Sequence, residues 1–135
     1  MPANTTDSGK SNSVNTTAGR IVFITGASSG IGAACTERFA QAGARLLLAA
    51  RRGNRLQEMK AALKAAGAAD VHTIALDVRN STQVQSSIDA LPEQWRAIDV
   101  LVNNAGRSRG LEKLQEGSIE DWEEMIDTNV KGLLY

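Results

Sequence analysis

The feature that most constrains the fold of this chain is a regular alternation of short apolar runs with amphipathic segments. Mostly apolar runs of this length are typical of strands that are buried on both faces of a parallel sheet. Four of them lie at residues 21–24, 46–49, 71–76 and 98–102. The segments between them, and the one after the last, have helical periodicity. Because crossovers between parallel strands are right-handed, this order predicts an α/β, doubly wound parallel sheet.

The predicted helices each have caps and one apolar face. Asn54, Asn80 and Ser118 are the predicted N-terminal caps of the second, third and fourth helices. The predicted apolar faces are Ile31, Cys35, Phe39 and Ala42; Leu56, Met59, Leu63 and Ala66; Val84, Ile88 and Leu91; and Ile119, Trp122, Ile126, Asn129 and Leu133. A polar group on the last stripe needs partners, because leaving it buried and unpaired costs about 1–3 kcal/mol.

A glycine-rich turn lies between the first strand and the first helix. Residues 25–32 have the order Thr-Gly-Ala-Ser-Ser-Gly-Ile-Gly. Glycine permits a positive φ and lets a ligand approach the backbone closely. The helix N-terminus that follows presents free N–H groups and a positive dipole end, which suit a pyrophosphate. Ser28 and Ser29 add hydroxyl donors. The turn therefore predicts phosphate binding, and a tight turn without a ligand is the alternative.

The end of the second strand favours one nucleotide over another. An acid at this position hydrogen-bonds the ribose 2′-hydroxyl in dinucleotide folds. Here the strand is followed by Arg51 and Arg52. Two guanidiniums suit a 2′-phosphate, so the sequence predicts NADP(H) rather than NAD(H). Solvated loop arginines are the alternative.

Composition excludes several other classes of protein. Fifteen basic residues balance fifteen acidic ones, so no net charge draws the chain to nucleic acid or to an anionic membrane. Cys35 is the only cysteine, which excludes an intrachain disulfide and a multi-cysteine metal site. Residues 1–19 are polar and lack the apolar segment of a signal peptide. We expect a disordered leader there, a nucleotide-binding domain at 20–135, no metal and a cytoplasmic location.

Three further motifs make the chain resemble the short-chain dehydrogenase/reductase superfamily. They are Leu-Asp-Val at 76–78, Asn-Asn-Ala-Gly at 103–106 and Asp-Thr-Asn-Val at 127–130. With the glycine-rich turn, they occur in the family's order and spacing across residues 20–135. The resemblance implies the N-terminal part of a Rossmann fold that binds NADP. It also implies a small alcohol or carbonyl substrate and a homo-oligomeric full-length protein.

The resemblance also assigns roles to individual positions. Gly26, Gly30 and Gly32 would form the cofactor turn, with Ile31 packed nearby. Asp77 and Val78 would border the adenine. Asn103, Ala105 and Gly106 would shape the strand end beside the cofactor. Asn129 matches an asparagine that supports a proton relay toward a catalytic lysine, and is the one catalytic candidate.

Within the superfamily, the chain looks most similar to NADP-dependent 3-hydroxy acid and serine-type dehydrogenases. Segments 50–56, 91–102 and 121–129 carry this likeness. The family's chemistry uses a serine and a Tyr-x-x-x-Lys pair, whereas the single tyrosine here is Tyr135, the last residue. We therefore expect a partial sequence that is inactive, and unstable or aggregation-prone, when isolated. A non-catalytic NADP-binding or interaction module that ends naturally here is the alternative.

Overall fold

The computed structural model describes residues 16–135, so the first fifteen residues of the predicted leader lie outside the described part. The elements, in chain order, are β1 (Ile21–Thr25), α1 (Gly30–Gln41), β2 (Arg45–Ala50), α2 (Gly53–Ala65), β3 (Asp70–Ala75), α3 (Ser81–Asp89), a 3-10 turn (Glu93–Trp95), β4 (Val100–Val102), a second 3-10 turn (Leu114–Glu116), α4 (Ile119–Ile126), a π-helical turn (Asp127–Lys131) and α5 (Gly132–Leu134).

The four strands form one parallel sheet in the order β3-β2-β1-β4. This confirms the predicted fold class and places every predicted strand within two residues of its observed bounds. The order also reverses direction between β1 and β4: the chain first moves outward to β3 and then returns to the other side of β1. Ligands in doubly wound sheets bind at this kind of reversal, beyond the carboxyl ends of the strands.

Both faces of the central strands are buried, as their apolar sequences require. Alternate residues of β1 and β2 face opposite sides of the sheet. One side packs against α1 and α2 through Leu56 and Leu63, which are buried, and the half-buried Phe39. The other side packs against α3 and the turn that follows it, through Leu91 and Trp95. The two cores hold β1 and β2 rigidly, and with them the loops that follow these strands.

The structure confirms two of the three predicted helix N-caps. Asn80 accepts a hydrogen bond from the backbone N–H of Gln83 at 2.9 Å, and Ser118 accepts one from that of Asp121 at 3.5 Å. The cap predicted at Asn54 is wrong, because the N-cap of α2 lies two residues earlier, at Arg52, and the helix begins at Gly53. A Cβ at Gly53 would lie 2.9 Å from the Ala75 side chain, so α2 packs closely on β3 where it begins.

The apolar face predicted for α1 differs from the structure, and the apolar face of the last helix is mostly exposed. Ile31 is 77% exposed, and α1 instead buries Gly32, Thr36 and Ala40. On the last helix, Ile119, Ile126 and Leu133 are each more than half exposed, and Asn129 is exposed. The π-helical turn adds a residue to the helical repeat, so residues on either side of it no longer share one face. None of the helices in residues 16–135 is long and apolar enough to cross a membrane.

Candidate functional site

An open cleft of about 410 Å³ lies at the carboxyl ends of the strands. Most of its lining follows the ends of strands, with Gly30 and Ile31 from the start of α1 and Thr128 from the π-helical turn, so its position is the one expected for a doubly wound sheet. The residues that line it are Gly26, Ser28, Ser29, Gly30, Ile31, Ala50, Arg51, Arg52, Leu76, Asp77, Val78, Arg79, Asn104, Ala105, Gly106, Arg107 and Thr128. The described residues contain no cluster of side chains that could hold a metal ion.

The glycine-rich turn after β1 forms the floor of the cleft. Gly26 and Gly30 both have positive φ, at 66° and 56°. A Cβ on Gly26 would lie 2.9 Å from the Ala105 Cα, so this glycine lets two loops meet. A Cβ on Gly30 would have no protein atom within 4 Å. Gly30 therefore borders open space in the cleft, where a ligand could approach the backbone closely.

The N-terminus of α1 opens into the same space. Its N-cap, Ser29, makes no side-chain hydrogen bond to the helix, and its first turn carries no acidic residue. The first N–H groups of a helix have no partner within the helix, and the dipole there favours negative charge. This end of α1 can therefore accept an anionic group of a ligand.

Asn104 and Thr25 hold the turns after β1 and β4 together. The Thr25 hydroxyl accepts hydrogen bonds from the backbone N–H groups of Asn104 and Ala105, at 3.1 and 3.0 Å. The Asn104 amide donates to the carbonyl oxygens of Thr25 and Gly26, at 3.0 and 3.2 Å. A Cβ on Gly32 would overlap both the Gly26 carbonyl and the Asn104 amide. Gly32 is thus needed for this close packing, and it does not line the cleft.

Two exposed arginines follow β2 along one side of the cleft. Arg51 and Arg52 both line it, and neither forms an ion pair with a carboxylate in residues 16–135. The two other arginines of the lining, Arg79 and Arg107, do have carboxylate partners. The positive charge at the end of β2 is therefore the charge most available to an anionic ligand.

Asp77, after β3, is the one carboxylate in the lining. Arg79 holds it through its terminal nitrogen at 2.6 Å and through Nε at 3.0 and 3.1 Å. These hydrogen bonds from the Arg79 side chain lower the pKa of Asp77 and outweigh the opposite effect of burial. The Asp77 backbone N–H donates to the Gln83 side chain at 3.0 Å, so the start of α3 also fixes this loop. Asp77 is therefore ionised and held in one orientation at neutral pH.

Asn129 anchors the loop after β4 from the π-helical turn. Its side-chain oxygen accepts from the Arg107 backbone N–H, and its side-chain nitrogen donates to the Arg107 carbonyl, both at 2.8 Å. The expectation that this amide must find partners is confirmed, although the residue is exposed and lies off any buried stripe. Both polar atoms of the Asn129 side chain bond to the Arg107 backbone, so Asn129 affects the cleft by fixing the loop that contains Arg107.

The structure brings most of the predicted binding residues into one cleft. Gly32 and Asn103 are the two exceptions among the cofactor candidates; Asn103 is exposed and outside the lining. The lining residues that the sequence did not single out are Ala50, Leu76, Arg79, Asn104, Arg107 and Thr128. Leu76, Asn104 and Thr128 lie within recognised motifs and so carried a signal, although no binding role was assigned to them. Arg79 and Arg107 directly follow recognised motifs but had no signal beyond that proximity.

Comparison with known proteins gives a consistent result. A family model described as short chain dehydrogenase matches residues 20–135. The chain is 48% identical over 115 residues to an NADP-dependent 3-hydroxy acid dehydrogenase of Salmonella typhi, which covers 85% of this chain and 45% of that protein. It is 49% identical over 114 residues to sulfoacetaldehyde reductase 2 of Chromohalobacter salexigens, covering 84% and 44%.

A solved structure of similar sequence has the same fold. It is the closed form of a serine dehydrogenase complexed with NADP⁺, with a TM-score of 0.78 and 45% identity. The match covers 85% of this chain and 45% of that chain. The chain thus spans less than half the length of each of these three relatives.

Proposed function

The chain belongs to the short-chain dehydrogenase family, and from that premise we propose that it is the cofactor-binding part of an NADP(H)-dependent oxidoreductase. The family match and the doubly wound sheet support the reaction class. The cofactor would supply the hydride chemistry at its nicotinamide. The protein's own residues would hold the cofactor, orient its reactive ring and move a proton to or from the substrate oxygen.

The observation that carries the choice of NADP(H) is the pair of arginines after β2 without carboxylate partners in residues 16–135. We propose that Arg51 and Arg52 bind the 2′-phosphate. The two phosphates that link the adenosine and nicotinamide halves of the cofactor would lie along the glycine-rich turn, at Gly26, Gly30 and the N-terminus of α1. The open space at Gly30 and the lack of acidic residues in the first helical turn fit an anionic group there. The similar NADP-dependent 3-hydroxy acid dehydrogenase and the similar serine dehydrogenase complexed with NADP⁺ support the same choice.

The remaining proposed contacts to the cofactor come from the loops after β3 and β4. We propose that Asp77 and Val78 border the adenine, and that Ala105 and Gly106 border the half of the cofactor beyond β1. Gly32 and Asn103 then act on the site indirectly, Gly32 through the packing of Asn104. Asn129 would support the proton relay of the family while its side chain fixes the Arg107 loop.

The compounds that these relatives are named for are chemically similar. A 3-hydroxy acid, serine and sulfoacetaldehyde are all small, and each bears a carboxylate or a sulfonate. We therefore propose a small anionic alcohol or carbonyl compound, of the 3-hydroxy acid or serine type, as the substrate. A serine and a Tyr-x-x-x-Lys pair, which the family resemblance calls for, would be needed to complete the site. No Tyr-x-x-x-Lys pair occurs in these 135 residues. The predicted homo-oligomer and cytoplasmic location stay predictions.

The cofactor assignment is tested by calorimetric titration with NADP⁺ and NAD⁺ of the chain and of its Arg51→Ala variant. Charge-assisted hydrogen bonds contribute about 1.5–3 kcal/mol, so NADP⁺ should bind about 10- to 100-fold more weakly to the variant. The affinity for NAD⁺ should change by less than about threefold. Arg55→Ala is the matched control, because Arg55 is an exposed arginine nearby on α2 that does not line the cleft.

Equal weakening of NADP⁺ and NAD⁺ in the Arg51 variant would contradict the 2′-phosphate assignment. A turnover assay with serine and 3-hydroxy acids separates the enzyme from the alternative, a non-catalytic binding module. Selective NADP⁺ binding by this chain, with turnover only in a longer protein that contains it, is the expected result. Binding without turnover in both would favour the module.

A further inference from the structure

One carboxylate on α4 holds three guanidiniums from two different loops. Oε1 of Glu124 lies 3.1 Å from a terminal nitrogen of Arg79 and 2.9 Å from a terminal nitrogen of Arg107. Oε2 lies 3.0 Å from Nε of Arg109. Arg79 and Arg107 line the cleft, whereas Arg109 does not. Two of the four arginines that line the cleft therefore share a single oxygen atom of Glu124.

The strand order makes this arrangement unexpected. Arg79 follows β3 and Arg107 follows β4, and these strands are the opposite edges of the described sheet. Three strand spacings separate them, or about 14 Å at the usual distance between neighbouring strands. The sheet alone would leave the two loops apart. Helix α4 brings both arginine side chains to one carboxylate, so Glu124 joins the two loops across the end of the sheet.

Arg79 and Arg107 are each held by one residue besides Glu124. Arg79 is bound to Asp77, and the backbone of Arg107 is bound to Asn129. Asp77 alone would leave the far end of Arg79 free, and Asn129 fixes only the backbone of Arg107. The Glu124 side chain is 19% exposed, so its ion pairs are better shielded from water than fully exposed ones. Glu124 is thus the group that contacts both guanidiniums, and it adds a second carboxylate to the one that already holds Arg79.

Resting on the proposed function, we propose that Glu124 is a positioning residue for cofactor binding. By holding Arg79 and Arg107, it fixes the wall of the cleft that contains Asp77 and Val78, against which the adenine half of NADP(H) binds. Glu124 itself is absent from the cleft lining, so it acts through the arginines and touches no ligand.

The proposal predicts a pattern of affinities that a general loss of stability would not produce. NADP⁺ and NAD⁺ share the adenine and differ in the 2′-phosphate, which Arg51 and Arg52 bind in the proposed function. Glutamine has nearly the shape of glutamate but lacks the charge, so Glu124→Gln should release the arginines without leaving a cavity. Both cofactors should then bind about 5- to 10-fold more weakly, and the ratio of their affinities should not change.

The experiment compares Glu124→Gln with Glu123→Gln in titrations with NADP⁺ and NAD⁺. Glu123 is an exposed neighbour on α4 without an ion pair in residues 16–135, so its variant makes the same charge change. Salt at about 0.15 M screens long-range attraction of the anionic cofactors. Glu123→Gln should leave both dissociation constants within about twofold. Adding Arg107→Leu to Glu124→Gln should weaken binding by less than the sum of the two single effects, since both act through Arg107.

Three results would overturn the proposal. Unchanged dissociation constants with a lower melting temperature would show a structural role only. A changed ratio of NADP⁺ to NAD⁺ affinity would show that Glu124 acts on the phosphate side of the cleft. If Glu124→Gln does not fold, Arg107→Leu alone must weaken both cofactors equally, and failure to do so overturns the proposal. Absence of any cofactor binding by the unaltered protein would refute the proposed function, and this inference with it.

Discussion

Substitution of Gly32 by alanine should destabilise the protein, although it raises the helix propensity of α1. The backbone of Gly32 has no positive φ, so alanine is compatible with its conformation. The obstacle is space: the new Cβ would overlap the Gly26 carbonyl oxygen and the Asn104 amide, and would lie 2.9 Å from the Gly26 carbonyl carbon. Two of these atoms are backbone, and the third is held by two hydrogen bonds. Neither neighbour can move without breaking the turn.

The expected cost follows from three contributions. Alanine gains about 1 kcal/mol over glycine inside a helix. Displacing the Asn104 amide loses two hydrogen bonds, worth about 2 kcal/mol together. Overpacking a tight site costs about 1–3 kcal/mol more. The net loss is about 3 kcal/mol of unfolding free energy, or a fall in melting temperature of roughly 10 °C for a domain of this size.

Thermal unfolding followed by circular dichroism measures this loss in the protein that contains this sequence. Asn104→Ala is the informative comparison, because it removes the same two hydrogen bonds without adding an atom at position 32. It should cost about 2 kcal/mol, less than Gly32→Ala. A Gly32→Ala protein as stable as the unaltered one would show that the turn relaxes freely. The close packing of Gly32 on Asn104 would then not hold the cleft together.

Two further predictions concern the cleft itself. Gly30→Ala should cost only about 1–2 kcal/mol of left-handed strain but weaken NADP⁺ binding at least about tenfold, because Gly30 lines the cleft and a methyl group there would occupy space that the proposed cofactor needs. Gly19→Ala carries the same strain at φ 72° with nothing within 4 Å, and Gly19 does not line the cleft, so it should leave binding intact. Equal binding losses in both variants, measured by titration, would contradict this assignment. The lowered pKa of Asp77, caused mainly by Arg79, means that the ionised form is favoured in the folded state. The stability from this pair is therefore complete above the ordinary value of 3.8 and is lost as the pH falls through the lower folded value. Unfolding free energies measured from pH 5 downward should fall less steeply in Asp77→Asn, and an unchanged slope would contradict the assignment.

Sequence periodicity predicted the parts of the fold that depend on neighbouring residues. Strands β1 and β2 were predictable because burial on both faces requires continuous apolar runs. Strands β3 and β4, which are only partly buried at the edges of the sheet, were predictable from shorter or mixed runs between helical segments. The caps at Asn80 and Ser118 were predictable because the donor lies three residues after the cap. The cap at Asn54 failed because α2 begins where Gly53 fits against Ala75, a contact between segments 22 residues apart. The sequence pattern within a helix carries no information about a contact with a distant segment.

The same distinction applies to the cleft. Arg51 was predictable as a cleft residue because it follows the carboxyl end of a strand, where ligands bind in doubly wound sheets. Asp77 was assigned through the family resemblance of the Leu-Asp-Val motif, and the structure places both residues in the cleft lining. The face predicted for α1 was wrong at Ile31, since that residue borders the cleft and is not covered by the core. Most apolar residues of the face predicted for the last helix are exposed in residues 16–135, and the spacing that joined Asn129 and Leu133 to them assumed a regular helix, which the π-helical turn from Asp127 interrupts.

The residues that fix the cleft were harder to predict than those that line it. Asn104 bonds to Thr25 across 79 positions, and Glu124 bonds to Arg79 across 45. Both contacts depend on the strand order, which brings β4 beside β1 and leaves β3 and β4 at opposite edges. A motif marks where a ligand binds, because ligand chemistry restricts the residue type at each contact. The groups that hold those contacts in place need only reach them, so any helix that the topology brings near can supply them. In this chain, α4 supplies such a group in Glu124, which contacts Arg79 and Arg107. Substitutions limited to the motif residues would therefore not test the contacts that hold these two arginines of the cleft lining.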